Sequence, residues 1–191
     1  VEHIPEYINY GTKLGFITVP ENAKISKDGD HAFKADKIII DKIIELKDFE
    51  GWRDREYCLS ALEKNGLVIQ YIEQTPEFCL LAVKQNGSAL KYIEEQTEEL
   101  CLEAVQEDYD AMEFVKDQTP KICAEAVKNE GWAIEFIKEQ TEELCLEAVR
   151  RNAFVLEYVR DQTYKICLEA IKQDAIFIEY VNEQTPELCL E

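Results

Sequence analysis

Residues 97–118 read TEELCLEAVQEDYDAMEFVKDQ, and the same sentence with small changes fills the chain from about residue 54 to the end. Cysteines mark the beat: Cys58, Cys79, Cys101, Cys123, Cys145, Cys167 and Cys189, spaced 22 apart after a first gap of 21. Gln-Thr pairs keep the same step from Gln74-Thr75 to Gln184-Thr185. A short fixed period of this kind is the signature of stacked repeats, each too small to bury its own apolar face. We number the unit from its threonine, so that Thr97 is position 1 and Gln118 position 22.

Each unit reads as a helical hairpin. Thr97 is a helix N-cap, and Glu98 and Glu99 fall in the first turn, where the helix dipole favours them. Pro76, Pro120 and Pro186 take the first helical position in sister units, where the missing N–H costs nothing. Leu100, Cys101, Ala104 and Val105 then form one apolar face, so the first helix should run about ten residues. Pairs such as Asn65-Gly66, Asn86-Gly87 and Asp108-Tyr109 break the helix, as residues suited to a left-handed cap do. A second, shorter helix of about seven or eight residues follows, almost all apolar and so expected to be the more buried one. The fold class is therefore all-α: an α-solenoid of about six 22-residue helical-hairpin repeats over residues 54–191, the last one truncated, behind an N-terminal segment.

Residues 1–53 lack the repeat. Phe16-Ile17-Thr18-Val19 is β-prone, Asp28-Gly29 suits a hairpin turn, and IIIDKIIEL (Ile38 to Leu46) has the spacing of an amphipathic helix. These features describe a small mixed α/β cap or module. Val1 is no natural start, and the chain stops seven residues into a repeat, so a longer parent protein is expected.

The motifs CLLAVKQNGSALKYI (Cys79 to Ile93) and LCLEAVRRNAFVLEYV (Leu144 to Val159) resemble a bacterial and giant-virus repeat family, domain of unknown function 4116. The resemblance implies tandem helical repeats over most of residues 54–191. It implies no activity, because none is established for that family.

Bulk composition excludes several functions. The net charge of -19 opposes binding to nucleic-acid phosphate or anionic membranes and suits a basic protein partner. No apolar run reaches the length of a membrane span, and the first 20 residues lack the order of a signal peptide. Equivalent positions on stacked helices lie roughly 8–10 Å apart, too far for the ~7 Å limit of a disulfide. The cysteines thus read as free, small buried hydrophobes in a reducing compartment. His3 and His31 lie outside the repeats and no CxxC occurs, so no metal or other cofactor is expected. Carboxylates recur in stripes instead of converging in a cleft, and no phosphate-binding loop or hydrolase motif appears, so no enzyme is expected in this chain. Glu113-Lys116, Glu135-Lys138, Glu157-Arg160, and Glu147 with Arg150 and Arg151 are spaced to pair along their helices.

Where the units differ, at exposed positions, binding is expected. Positions 14, 17 and 21 fall on one outward stripe of an α-helix. Position 14 carries Trp132, Phe154 and Ile176 where earlier units have Ser88 and Asp110. Position 17 carries Glu113, Glu135, Glu157 and Glu179, and position 21 includes Glu139. These describe an acidic groove with apolar anchors for a basic protein or peptide segment. The other reading of Trp132, Phe154 and Ile176 is packing between adjacent repeats. The function expected is a non-catalytic protein-interaction scaffold or targeting module, monomeric and cytoplasmic, or in the host-cell cytosol for an effector. A recruiting region of a larger enzyme or effector and an acidic mimic of nucleic acid are the alternatives.

Overall fold

The computed structural model describes residues 8–10, 13–18, 24–27, 33–35 and 39–188. Two compact units divide the chain at residues 1–55 and 56–191.

The described residues of the first unit hold five strands and two short 3-10 helices, Leu46–Asp48 and Glu50–Arg53. β1 (Ile8–Tyr10) pairs antiparallel with β2 (Lys13–Thr18), and β2 with β5 (Ile39–Glu45). β3 (Ile25–Lys27) and β4 (Phe33–Ala35) form a separate antiparallel pair. Residues 28 and 29, the expected turn, lie outside the described residues, as do Val19 and Pro20. The helix expected over Ile38–Leu46 is instead strand β5 from Ile39 to Glu45. Five of its flanking and internal residues are isoleucine, and β-branched side chains favour an extended chain when a partner strand is present. The pattern misled because Phe16 pairs with Lys42 and Ile17 with Ile40, which leaves Asp41 as a bulge that breaks simple alternation.

The second unit holds two stacked layers and, among the described residues, no strand. One layer is α1 (Arg55–Lys64), α2 (Pro76–Gln85), α3 (Glu98–Glu107), α4 (Pro120–Asn129), α5 (Glu142–Arg151) and α6 (Tyr164–Ile171). From α2 onward each starts at its threonine: the Oγ1 of Thr75, Thr97, Thr119, Thr141 and Thr163 accepts the N–H three residues on. The other layer consists of six-residue 3-10 helices: Gly66–Tyr71, Gly87–Tyr92, Tyr109–Phe114, Gly131–Phe136, Ala153–Tyr158 and Ala175–Tyr180.

The second helices are thus 3-10 and shorter than expected. A ten-residue α-helix is about 15 Å long. Six residues at the 3-10 rise cover about 12 Å against about 9 Å in α form, so the tighter winding lets a short return stroke match its partner. Nor is this layer the more buried. Positions 15, 16 and 19 are buried, as with Ala111, Met112 and Val115, while 17 faces out, 18 is half-buried and 14 ranges from half-buried (Ser88, Trp132) to exposed (Asp110, Phe154).

The break between the helices also differs from a left-handed cap. Asn65, Asn86 and Asn152 are extended, with φ −156°, −158° and −155°. Their Oδ1 atoms accept the N–H two residues on, as do those of Asp108 and Asp174, so this residue starts the 3-10 helix. The glycine after Asn86 answers a close approach: a Cβ on Gly87 would lie 2.5 Å from the Ala104 carbonyl oxygen of the next unit.

The glutamines hold one unit to the next. Gln140 Nε2 donates to Ile134 O (2.9 Å) and to Tyr158 O (3.0 Å), and its Oε1 accepts from Arg160 N–H (2.9 Å). Gln96, Gln118 and Gln162 repeat the arrangement. An amide is the one side chain that offers donors and an acceptor together at this length. Gln140→Ala would take the amide from the Tyr158 carbonyl and the Arg160 N–H at a part-buried junction, while Ile134 O keeps the Ile137 N–H. We expect it to cost about 2–3 kcal/mol in urea unfolding; an unchanged midpoint would show that water replaces the amide.

Cys58 is buried, and Cys79, Cys101, Cys123, Cys145 and Cys167 are buried and free; Cys189 lies outside the described residues. Removal from water pushes the thiols of Cys79, Cys101, Cys123 and Cys167 upward, and that of Cys145 to about 11.

Candidate functional site

The 3-10 helix sets the geometry of the variable face. Residues three apart eclipse one another in this helix, so positions 14 and 17 form one column and 15 and 18 another. Position 21 is not on that column. The helix ends at position 18, and Glu139, beyond Gly131–Phe136, lines a different groove of about 690 Å³ with Lys116, Cys123, Thr141 and Glu143, residues of three successive units. The stripe expected from α-helical spacing therefore splits: Glu139 parts from Trp132 and Glu135.

Position 14 packs forward onto the next unit. Trp132 is half-buried and meets Tyr158 edge-to-face at 5.6 Å. Phe154 meets Phe177 at 4.9 Å and Tyr180 at 6.1 Å, yet stays 50% exposed. Ile176 is 55% exposed. Trp132 and Phe154 are thus inter-repeat packing residues, and Phe154 and Ile176 also present apolar surface to water.

Position 18 was not singled out in the sequence. It is always aromatic: Tyr71, Tyr92, Phe114, Phe136, Tyr158 and Tyr180, all half-buried. Its invariance within the chain is a visible signal, but one that a core position gives equally. Stacked 3-10 helices turn it into a row of rings along one face. Lys91 shows what the row attracts: its Nζ lies 5.9 Å from the centre of Tyr92 and 5.7 Å from that of Phe114, bridging two successive units. A ring face carries negative potential, so a cation between two rings is stabilised by both.

In the following units position 17 is acidic. Glu113, Glu135, Glu157 and Glu179 are exposed and have no ion-pair partner among the described residues. The expected pairs with position 20 do not form. Lys116 Nζ instead donates to Glu94 O at 2.7 Å and Ile93 O at 3.2 Å, Lys138 Nζ to Lys116 O at 3.5 Å, and Arg160 Nη1 to Lys138 O at 2.7 Å. Past the 3-10 helix the chain turns back toward the preceding unit, whose orphan carbonyls are nearer than the carboxylate. Similar cross-unit pairing occupies the α layer. Arg151 meets Glu147 at 3.1 Å as expected, but Arg150 reaches Glu169 of the next unit at 3.1 Å. Lys84–Glu103, Lys121–Glu98 and Lys165–Glu142 also cross between units. The hydrogen bond from Lys121 holds the Glu98 carboxyl below its usual range.

The matched family profile covers residues 54–97 and again residues 75–118, each match spanning two successive units. Its description is Domain of unknown function (DUF4116). Over residues 54–118 the chain matches tandem DUF4116 repeats. Neither a curated protein nor a solved structure matches the chain. No helix among the described residues is long and apolar enough to cross a membrane.

Proposed function

We propose that the DUF4116 array is a non-catalytic protein-interaction scaffold that receives a basic partner on its 3-10 face. One observation carries this reading: Lys116, Lys138 and Arg160, just past the 3-10 helices, are tied to backbone carbonyls, while the carboxylates of Glu113, Glu135, Glu157 and Glu179 stand exposed beside a row of aromatic rings. Phe154 and Ile176 add apolar surface at the same end. Aromatic contacts with an acidic surround suit a protein segment carrying Lys or Arg, and the net charge of -19 steers such a segment in.

The test is site-specific photocrosslinking. A crosslinker at Glu135 or Glu157 should capture protein partners, and the adducts should fade as salt rises. The same group at Glu125, on the α layer, should capture far less. Reversal of Glu113, Glu135 and Glu157 to lysine should abolish capture by a crosslinker at Phe154 without lowering the melting point by more than a few degrees, since exposed charges contribute little to stability. Equal capture from both layers would overturn the assignment of the face.

A further inference from the structure

We propose that the 3-10 face binds an extended segment in which Lys or Arg recurs at every third residue, one cation per repeat. The inference deepens the proposed function and rests on it. Lys91 sits between the rings of Tyr92 and Phe114, so the space between consecutive position-18 rings accepts an alkylammonium group. In the next three units the residue equivalent to Lys91 is Glu113, Glu135 and then Glu157. By the repeat, each holds the place in its own unit that Lys91 holds beside Tyr92 and Phe114, so the corresponding ring pairs are Phe114 and Phe136, Phe136 and Tyr158, and Tyr158 and Tyr180.

Each of these three places thus pairs two successive rings with a carboxylate, where the second unit supplies its own cation, Lys91. Ring face and carboxylate are both negative, and a cation from outside satisfies both. Beside the pair Phe114 and Phe136, position 14 is Asp110, whereas Trp132 and Phe154 stand at that position beside the next two pairs.

Spacing sets the register. Stacked helices lie roughly 8–10 Å apart. An extended or polyproline chain rises about 3.1–3.3 Å per residue, so every third side chain advances about 9–10 Å and stays on one side in the polyproline form. A helix would need about six residues for the same advance.

The probe is a synthetic peptide of repeated Lys-Ser-Pro carrying four lysines, set against a peptide of identical composition with its lysines in one block. Fluorescence anisotropy with the whole chain should show the spaced peptide binding at least about tenfold tighter, because only it places one cation in each site. Glu135→Gln should weaken the spaced peptide several-fold and the blocked one less. Lys91→Glu should strengthen the spaced peptide by about threefold or more, since it opens a fourth place next to the other three. Circular dichroism of each variant guards against loss of folding, and the neutral Glu113→Gln serves if a reversal unfolds.

Equal binding of the two peptides overturns the register and leaves a basic partner standing. Weaker or unchanged binding by the Lys91→Glu variant overturns the role assigned to Lys91. If neither peptide binds while crosslinks still form at Glu135, the extended cation row is wrong and the scaffold reading survives; loss of both overturns both.

Discussion

Cys145→Asp is expected to unfold most of the repeat array at neutral pH, with a loss of about 3–5 kcal/mol relative to Cys145→Ala. The site shows why. Cys145 is 2% exposed, and burial is the main cause that pushes its thiol up to about 11, with Asp161 adding to the effect and Arg160 opposing it. An environment that resists a thiolate resists a carboxylate for the same reasons, so the new aspartate must fold protonated or bury its charge. Its folded pKa is raised, so the penalty is absent below the unfolded carboxyl pKa of about 3.9 and grows as pH rises above it. The variant should therefore approach Cys145→Asn in stability at acid pH and diverge from it at pH 7. Urea melts of both variants across that range check the point, and parallel curves would show that the site takes up water. The wild-type thiols carry the same sign into alkaline pH. A raised folded pKa favours the unfolded chain as pH rises, so stability falls above about pH 9, for Cys145 up to about 11.

The parts of the fold legible in the sequence are those in which one residue type performs one local task. Thr97 caps a helix, Pro120 enters one, and Cys101 and Ala104 pack; each of these follows from short-range chemistry. The cysteine beat alone suffices to show stacking. The 3-10 form of the second helix was hidden because its six residues are too few for the apolar period to separate 3.0 from 3.6 residues per turn. That difference then moved the candidate site. Glu139 left the outward column for the junction groove, and the eclipsed pairing of positions 14 and 17 took its place.

Contacts between units were less legible still. Lys116 stands three residues from Glu113, and the helix rule pairs them; the structure sends Lys116 back to the carbonyl of Glu94. The rule assumes a continuing α-helix, and the chain has already left its helix at that point. The row of rings at position 18 was in plain view, from Tyr71 to Tyr180, yet a sequence cannot say whether such a row is core or edge. Strand β5 was misread for a related reason: Ile39 to Ile44 fits either period, and a partner strand decides.

Deleting residues 119–140 is expected to leave a folded, soluble protein one repeat shorter, whereas deleting residues 119–129 should destroy cooperative unfolding. The first deletion joins Gln118 to Thr141, the same Gln-Thr junction found at every other unit. Gln118 then takes the place of Gln140, with Nε2 facing the Tyr158 carbonyl and Oε1 facing the Arg160 N–H. Thr141 still caps α5, and Phe114 meets Tyr158 as the next ring in the row. In nearest-neighbour terms one unit and one interface are lost, and the remaining terms are unchanged. The second deletion removes α4 and runs Gln118 straight into Glu130. The 3-10 helix Gly131–Phe136 would then follow Tyr109–Phe114 with no α-helix between them, and the apolar faces of α3 and α5 would lose Ile122, Cys123, Ala126 and Val127 as their filling. Removing four buried apolar side chains together exceeds the whole stability of an ordinary domain's weakest segment, at about 1.5–3 kcal/mol for each larger one. Thermal melts followed by circular dichroism distinguish the cases: one sharp transition for the 22-residue deletion and a broad or absent one for the 11-residue deletion. Two sharp transitions would mean that the fold tolerates a half-unit slip, and the 22-residue hairpin would no longer be its unit.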